Sequence, residues 1–98
     1  MEQYKCKELN KSGIVILPKK WRDRFALKPG NLVDLEYDNS AIVIKKHMHE
    51  TKNNSRVINE EGSVLLPMEL RNLMGLTPQD EFCLYIDEDN ERFIVKAN

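Results

Sequence analysis

Apolar and polar residues alternate with a period of two over Val33-Asp34-Leu35-Glu36-Tyr37 and again from Phe82 through Leu84 to Ile86, the spacing of strands that turn one face to a core. Short apolar runs, Ile14-Val15-Ile16-Leu17 and Val64-Leu65-Leu66, end at Pro18 and Pro67. Proline stops a strand and suits the start of a helix, where its missing N–H has no intrahelical partner. Helical spacing follows. Trp21 and Phe25 share a face over about Pro18 to Phe25; Leu70, Leu73 and Met74 do so over Pro67 to Met74, with Gly75 placed as a C-terminal cap. A first strand is expected over about Gln3 to Leu9, turning near Ser12-Gly13, and return strands over Ala41–Ile44 and Arg92–Val95. Lys28-Pro29-Gly30-Asn31 fits a type II turn, and Thr77-Pro78-Gln79-Asp80, without the glycine, a type I turn.

These elements come twice. Asn10-Lys-Ser-Gly13-Ile-Val-Ile-Leu17-Pro18 returns as Asn59-Glu-Glu-Gly62-Ser-Val-Leu-Leu66-Pro67, an offset of 49 residues that persists through Arg22/Arg71, Leu27/Leu76, Pro29/Pro78 and Leu35/Leu84. A fixed period of this size marks a repeated structural unit. Each unit is marginal for burying a core alone, so two are expected to pack as one compact domain. The expected division is a first unit over 1–46, a polar linker over 47–54 and a second unit over 55–98, giving a mostly β fold with two short helices.

Charge separates the two units. Residues 1–52 carry eleven Lys/Arg and seven Asp/Glu, and residues 53–98 carry four and nine. The basic residues concentrate at Lys5, Lys7, Lys11, Lys19, Lys20, Arg22, Arg24 and Lys28. The first unit is thus suited to a polyanion, which would repel the second. The composition, 41% hydrophobic and 32% charged, is that of a soluble globular protein. No run approaches the length of a membrane span and the N-terminus lacks the apolar stretch of a signal peptide, so a cytoplasmic location is expected. Cys6 and Cys83, far apart and without C-x-x-C spacing, argue against a disulfide framework and against zinc; each is expected to be a small, half-buried strand residue.

Lys7 through Arg22 and Leu27 to Gly30, and again Arg56 through Arg71 and Gly75 to Pro78, resemble the AbrB/MazE/SpoVT swapped-hairpin DNA-binding domain in an ordered set: Gly, apolar run, Pro, three residues, Arg, then Leu-x-Pro. The resemblance covers most of the chain twice. It implies βαββ units that interleave their hairpins into a pseudo-two-fold barrel, here within one chain, and a nucleoid-associated DNA-binding transcription regulator of the AbrB type. It also implies DNA contact from the first strand, the turn before the second strand and the helix, which favours Lys7, Arg22, Arg56 and Arg71. Where AbrB has arginines, after the Gly and after the helix arginine, this chain has Ile14, Ser63, Asp23 and Asn72.

Lys5, Lys7, Lys11, Lys19 and Lys20 suit phosphate contact; Asn10, Ser12, Arg22 and Arg24 are the candidates for a base edge. Arg22 and Arg71 have a second reading, as structural partners of a carboxylate on a neighbouring strand, and surface lysines also serve solubility alone. The spacing of Trp21 and Phe25 favours core packing over base stacking. His47-Met48-His49 is a weak metal pair, and no nucleophile, base and orienting group can be assembled, so neither cofactor nor catalysis is expected. Duplex DNA is the expected partner, with homodimers or higher oligomers by exchange across the linker. The alternative is an antitoxin-like or anti-regulator protein that meets another protein through the acidic second unit.

Overall fold

The computed structural model describes residues 1–48 and 54–98. In chain order it forms β1 (Glu2–Glu8), β2 (Ile14–Ile16), α1 (Lys19–Arg24), β3 (Leu32–Asp38), β4 (Ala41–Lys46), β5 (Asn54–Val57), β6 (Ser63–Leu65), α2 (Met68–Met74), β7 (Glu81–Asp87) and β8 (Arg92–Ala97). The mostly β architecture with two short helices is the one expected, and element bounds agree to within one or two residues. Part of the expected linker, residues 49–53, lies outside the described residues.

Six strands form an antiparallel sheet in the order β1-β7-β8-β4-β3-β5, and β2 pairs with β6 in a separate two-stranded ribbon. Exchanging β1–β4 with β5–β8 turns that order into its own reverse, which is a pseudo-two-fold arrangement. The hairpins are swapped: β1 pairs with β7 of the later hairpin, β5 pairs with β3 of the earlier one, and β4 meets β8 at the centre. Neither half completes its sheet alone. One buried cluster accordingly draws on both, with Leu17, Leu27, Leu35 and Ile44 from one side and Ile58, Leu66, Ile86 and Phe93 from the other. Trp21 and Phe25 lie in this core, Phe25 meeting Phe93 edge-on at 5.4 Å between centroids. Burying a side chain of this size contributes about 2 kcal/mol each.

Four sequence expectations are corrected. Gln79 has φ +77°, and the N–H of Asp80 donates to the carbonyl of Thr77 (3.0 Å), so this turn is type II like its counterpart at Gly30, with a non-glycine residue in the left-handed region. The swap demands the same turn twice: the N–H of Gly30 donates to the carbonyl of Ile58 and that of Gln79 to the carbonyl of Leu9. Tyr37, at a nominally inward position, is 38% exposed beside the tight Asn39-Ser40 loop, whose two positive φ angles make a type I′ turn. Asp34, placed by alternation on the solvent side, is 0% exposed.

The last correction concerns Cys6 and Cys83, which face each other in the β1–β7 register and are joined by a disulfide across 77 residues of sequence. The same pseudo-symmetric position on the other edge pairs Asp34 with Ser55. There Asp34 accepts hydrogen bonds from His47 Nδ1 (2.8 Å), the Met48 N–H (3.0 Å) and Ser55 Oγ (2.8 Å), gathering both ends of the crossover between halves. Burial alone would raise the Asp34 pKa, but these three bonds and the His47 charge outweigh it and hold the carboxyl below its ordinary value.

Candidate nucleic-acid interface

The ribbon of β2 and β6 is flanked at each end by a tight turn built on asparagine. Asn10 Oδ1 accepts the Ile14 N–H (3.1 Å) and its backbone carbonyl accepts the Gly13 N–H (3.0 Å); Asn59 does the same for Ser63 (3.0 Å) and Gly62 (2.9 Å). The Asn10 carbonyl oxygens are therefore committed to turn formation, which leaves only its amide nitrogen to face a ligand. Lys11 and Ser12 stand exposed at the tip.

Both turns need glycine for two reasons. Gly13 and Gly62 have φ +71° and +80°, and a Cβ at either would come within 2.6 Å of the guanidinium carbon of Arg71 or Arg22 respectively. Arg22 and Arg71 are only 8% and 7% exposed, and each donates through Nε to the carbonyl that precedes the helix, Leu17 (2.8 Å) or Leu66 (3.0 Å). The carboxylate partner envisaged for these arginines is thus a backbone carbonyl. Each arginine of one half closes under the glycine of the other, which makes the pair an interlock between halves. The recurrence of Gly and Arg at one offset was the sequence signal for this contact, but it does not say that the two cross over.

The same crossing redistributes charge. The Leu17 N–H donates to the carbonyl of Gly62 (3.0 Å) and the Leu66 N–H to that of Gly13 (2.8 Å). The acidic Glu60-Glu61 turn therefore sits against the start of α1, with Lys19 and Lys20, whereas the Lys11-Ser12 turn sits against the start of α2, with Glu69. The opposed charges of the two sequence halves do not become two opposed ends of the molecule.

Lys5 and Lys7 stand opposite Leu84 and Phe82 on β7, and with Tyr4, Ile16 and Pro18 these residues line a single cleft between β1 and the ribbon. Pro18 directly precedes Lys19 and Lys20, so the cleft lined by the β1 lysines adjoins the residue that leads into α1. Lys19 pairs with Asp23 at 2.9 Å and Arg24 with Glu88 at 2.9 Å, both exposed pairs of small energetic weight. Lys20 and Arg24 lie over Trp21, 5.0 and 5.3 Å from its centroid. Among the described residues Lys5, Lys7 and Lys11 enter no ion pair. Arg56, the counterpart of Lys7, is half-buried on β5, donating through Nη1 to the Ser55 carbonyl (2.7 Å).

Residues 8–52 match the family model described as antidote-toxin recognition MazE, bacterial antitoxin. That stretch, somewhat under half of the chain, is similar to this family. No curated protein matches the chain in sequence. The solution structure of PHS018 from Pyrococcus horikoshii is similar over 98% of this chain and 89% of that one, with 19% identity and a TM-score of 0.55, so the MazE-like stretch sits in a fold shared over the whole chain. The MazE-like family is of the DNA-binding and antitoxin kind and is regulatory rather than enzymatic.

Ser55, His47 and Asp34 bring together the residue types of a hydrolase triad that sequence reading did not assemble, yet the arrangement does not activate the serine. Ser55 Oγ donates to the same Asp34 oxygen that His47 Nδ1 contacts and lies 3.5 Å from that nitrogen, so it is not held against Nε2. Among the described residues no group of three or more metal-ligating side chains is arranged to hold an ion, and His49 lies outside them. No helix among them is long and apolar enough to cross a membrane.

Proposed function

We propose that this MazE-like chain is a regulator that binds duplex DNA, with both halves acting as copies of one swapped-hairpin unit. The observation that supports the reading is a cleft lined by Lys5, Lys7 and Pro18, the last of which directly precedes Lys19 and Lys20 at the start of α1. In this reading Lys11 and Ser12, on the exposed turn between β1 and β2, and Arg56 on β5 add further contacts. Lysines so placed are point charges for phosphates and set register without reading bases. Arg22 and Arg71 support the surface from beneath by fixing the turns, and Arg24 and Asn10 contribute at its margin.

Titration of random duplexes at several salt concentrations tests this. With about five phosphates neutralised, log K falls against log salt with a slope of about −5. An affinity indifferent to salt removes the reading. Charge reversal of Lys19 and Lys20 weakens all duplexes alike if the two lysines touch phosphate.

A second reading rests on the apolar side chains that the same region leaves exposed. Ile16 and Leu65 on the ribbon and Met68 at the start of α2 are 57%, 42% and 59% exposed. Such residues suit a protein partner, in keeping with the antitoxin description of the matching family. Co-purification of a specific protein that shields Ile16 and Leu65 from solvent favours this reading over DNA.

A further inference from the structure

We propose that the Cys6–Cys83 disulfide is a redox latch that holds the edge strand β1, with Lys5 and Lys7, onto the sheet. Three observations carry it. Residues Glu2–Glu8 contribute no side chain to either buried apolar cluster, so the body of β1 has no core anchor; Leu9, just past its end, is the first residue that does. Its ladder to β7 is interrupted by a register shift between Gln3 and Lys5. Among the described residues, the side-chain bonds that hold it are the Tyr85 hydroxyl donating to Gln3 (3.1 Å) and the covalent bond at Cys6. A strand of this kind lies at the low-stability end of a protein's local openings.

The two sulfurs are unequally accessible. Cys83 is 3% exposed, whereas Cys6 is half-buried on the outermost strand and lies between two lysines. An incoming dithiol therefore attacks Cys6 Sγ, the S–S bond breaks and Cys83 leaves as thiolate. The second thiol of the reagent then attacks the mixed disulfide and frees Cys6. Two electrons and two protons pass to the protein as two thiols, and the dithiol becomes a cyclic disulfide. With the latch open, β1 frays from Glu2 toward Leu9 and its lysines lose their fixed positions.

The test is hydrogen exchange on the intact chain with and without dithiothreitol, with thiols counted by alkylation and mass. Reduction is expected to cut amide protection across residues 3–8 at least tenfold and to leave it well below that of β4 and β8, which fall only as far as global stability does, and reoxidation restores both. Limited trypsin digestion reads the same opening as new cleavage after Lys5 and Lys7. Equal β1 protection in the two states overturns the latch, as does a protein that shows two free thiols before any reductant is added. Cys6→Ser serves as a second variant and is expected to match the reduced protein in both buffers. The consequence for DNA rests on the function proposed above: the salt slope becomes shallower by about 2 on reduction, as two phosphate contacts are lost. A chain that binds no DNA in either state, yet loses β1 protection, removes that function and supports the latch.

Discussion

The two edges of the six-stranded sheet solve one problem with different chemistry. On each, the first strand of one half is laid against the hairpin of the other, and the same register position carries the anchor: Cys6 opposite Cys83 on β1–β7, Ser55 opposite Asp34 on β5–β3. One anchor is covalent and answers to thiols. The other is a buried carboxylate with three hydrogen-bond donors and answers to protons. The Arg–Gly interlocks, by contrast, are the same at both ends of the ribbon. The swap thus requires the interlock in one form but leaves the edge anchor free to vary, because any strong cross-strand tie at that register serves.

Breaking the covalent edge has the largest expected effect. In the chain-entropy account a bond across 77 residues stabilises by about 4 kcal/mol, so replacing both cysteines by alanine lowers the denaturation midpoint accordingly. Denaturant curves of the double variant and of the reduced wild type are expected to coincide, and a gap between them would mean that the alanines do more than remove the bond.

Next comes the polar edge, where Asp34→Ala leaves three part-buried donors without their acceptor and costs about 2 kcal/mol. Its exchange signature belongs on β5 and residues 47–48, and loss of protection on β1 instead would contradict the assignment of one anchor to each edge. The sign of its pH dependence follows from the lowered carboxyl: the stabilisation is full above the ordinary value of 3.8 and disappears as pH falls through the lower folded value. The part of the stability difference between wild type and Asp34→Asn that comes from this carboxyl should therefore shrink as pH falls through the acid range.

Making the edges alike sharpens the comparison. Asp34→Cys combined with Ser55→Cys places a pair at the register used by Cys6 and Cys83, and oxidation is expected to recover about 2 kcal/mol of what loss of Asp34 costs. Mass after alkylation shows whether the second bond forms. The smallest effect is at the turns that receive the two edge strands, where Gly30 and Gln79 have φ +93° and +77°. A side chain in that region is strained, so Gln79→Gly is expected to stabilise by about 1 kcal/mol, measured as a rise in Tm.

The elements were legible because period-two alternation, proline stops and the 49-residue recurrence are local signals. The anchors were not, because they arise from register between strands distant in sequence. Nothing near Cys6 indicates that residue 83 is its neighbour, and alternation identified the outer face at Asp34 without showing that His47, Met48 and Ser55 close over it. Gln79 was misjudged because the demand for a positive φ comes from the incoming Leu9 carbonyl, not from the turn's own residues. The basic candidates were visible as composition, but Arg22 and Arg71 turned inward and the swap set Glu60 and Glu61 beside the lysine-bearing helix. Net charge by sequence segment maps onto a surface only where segments remain whole in space.

Finally, the crossover whose ends Asp34 gathers fixes the stoichiometry of the interleaved barrel at one to one. Two separate chains joined by the same swap would part on dilution, whereas tethered halves meet at a local concentration that dilution does not change. A barrel closed within one chain therefore forms by a first-order process, at a rate that does not depend on concentration.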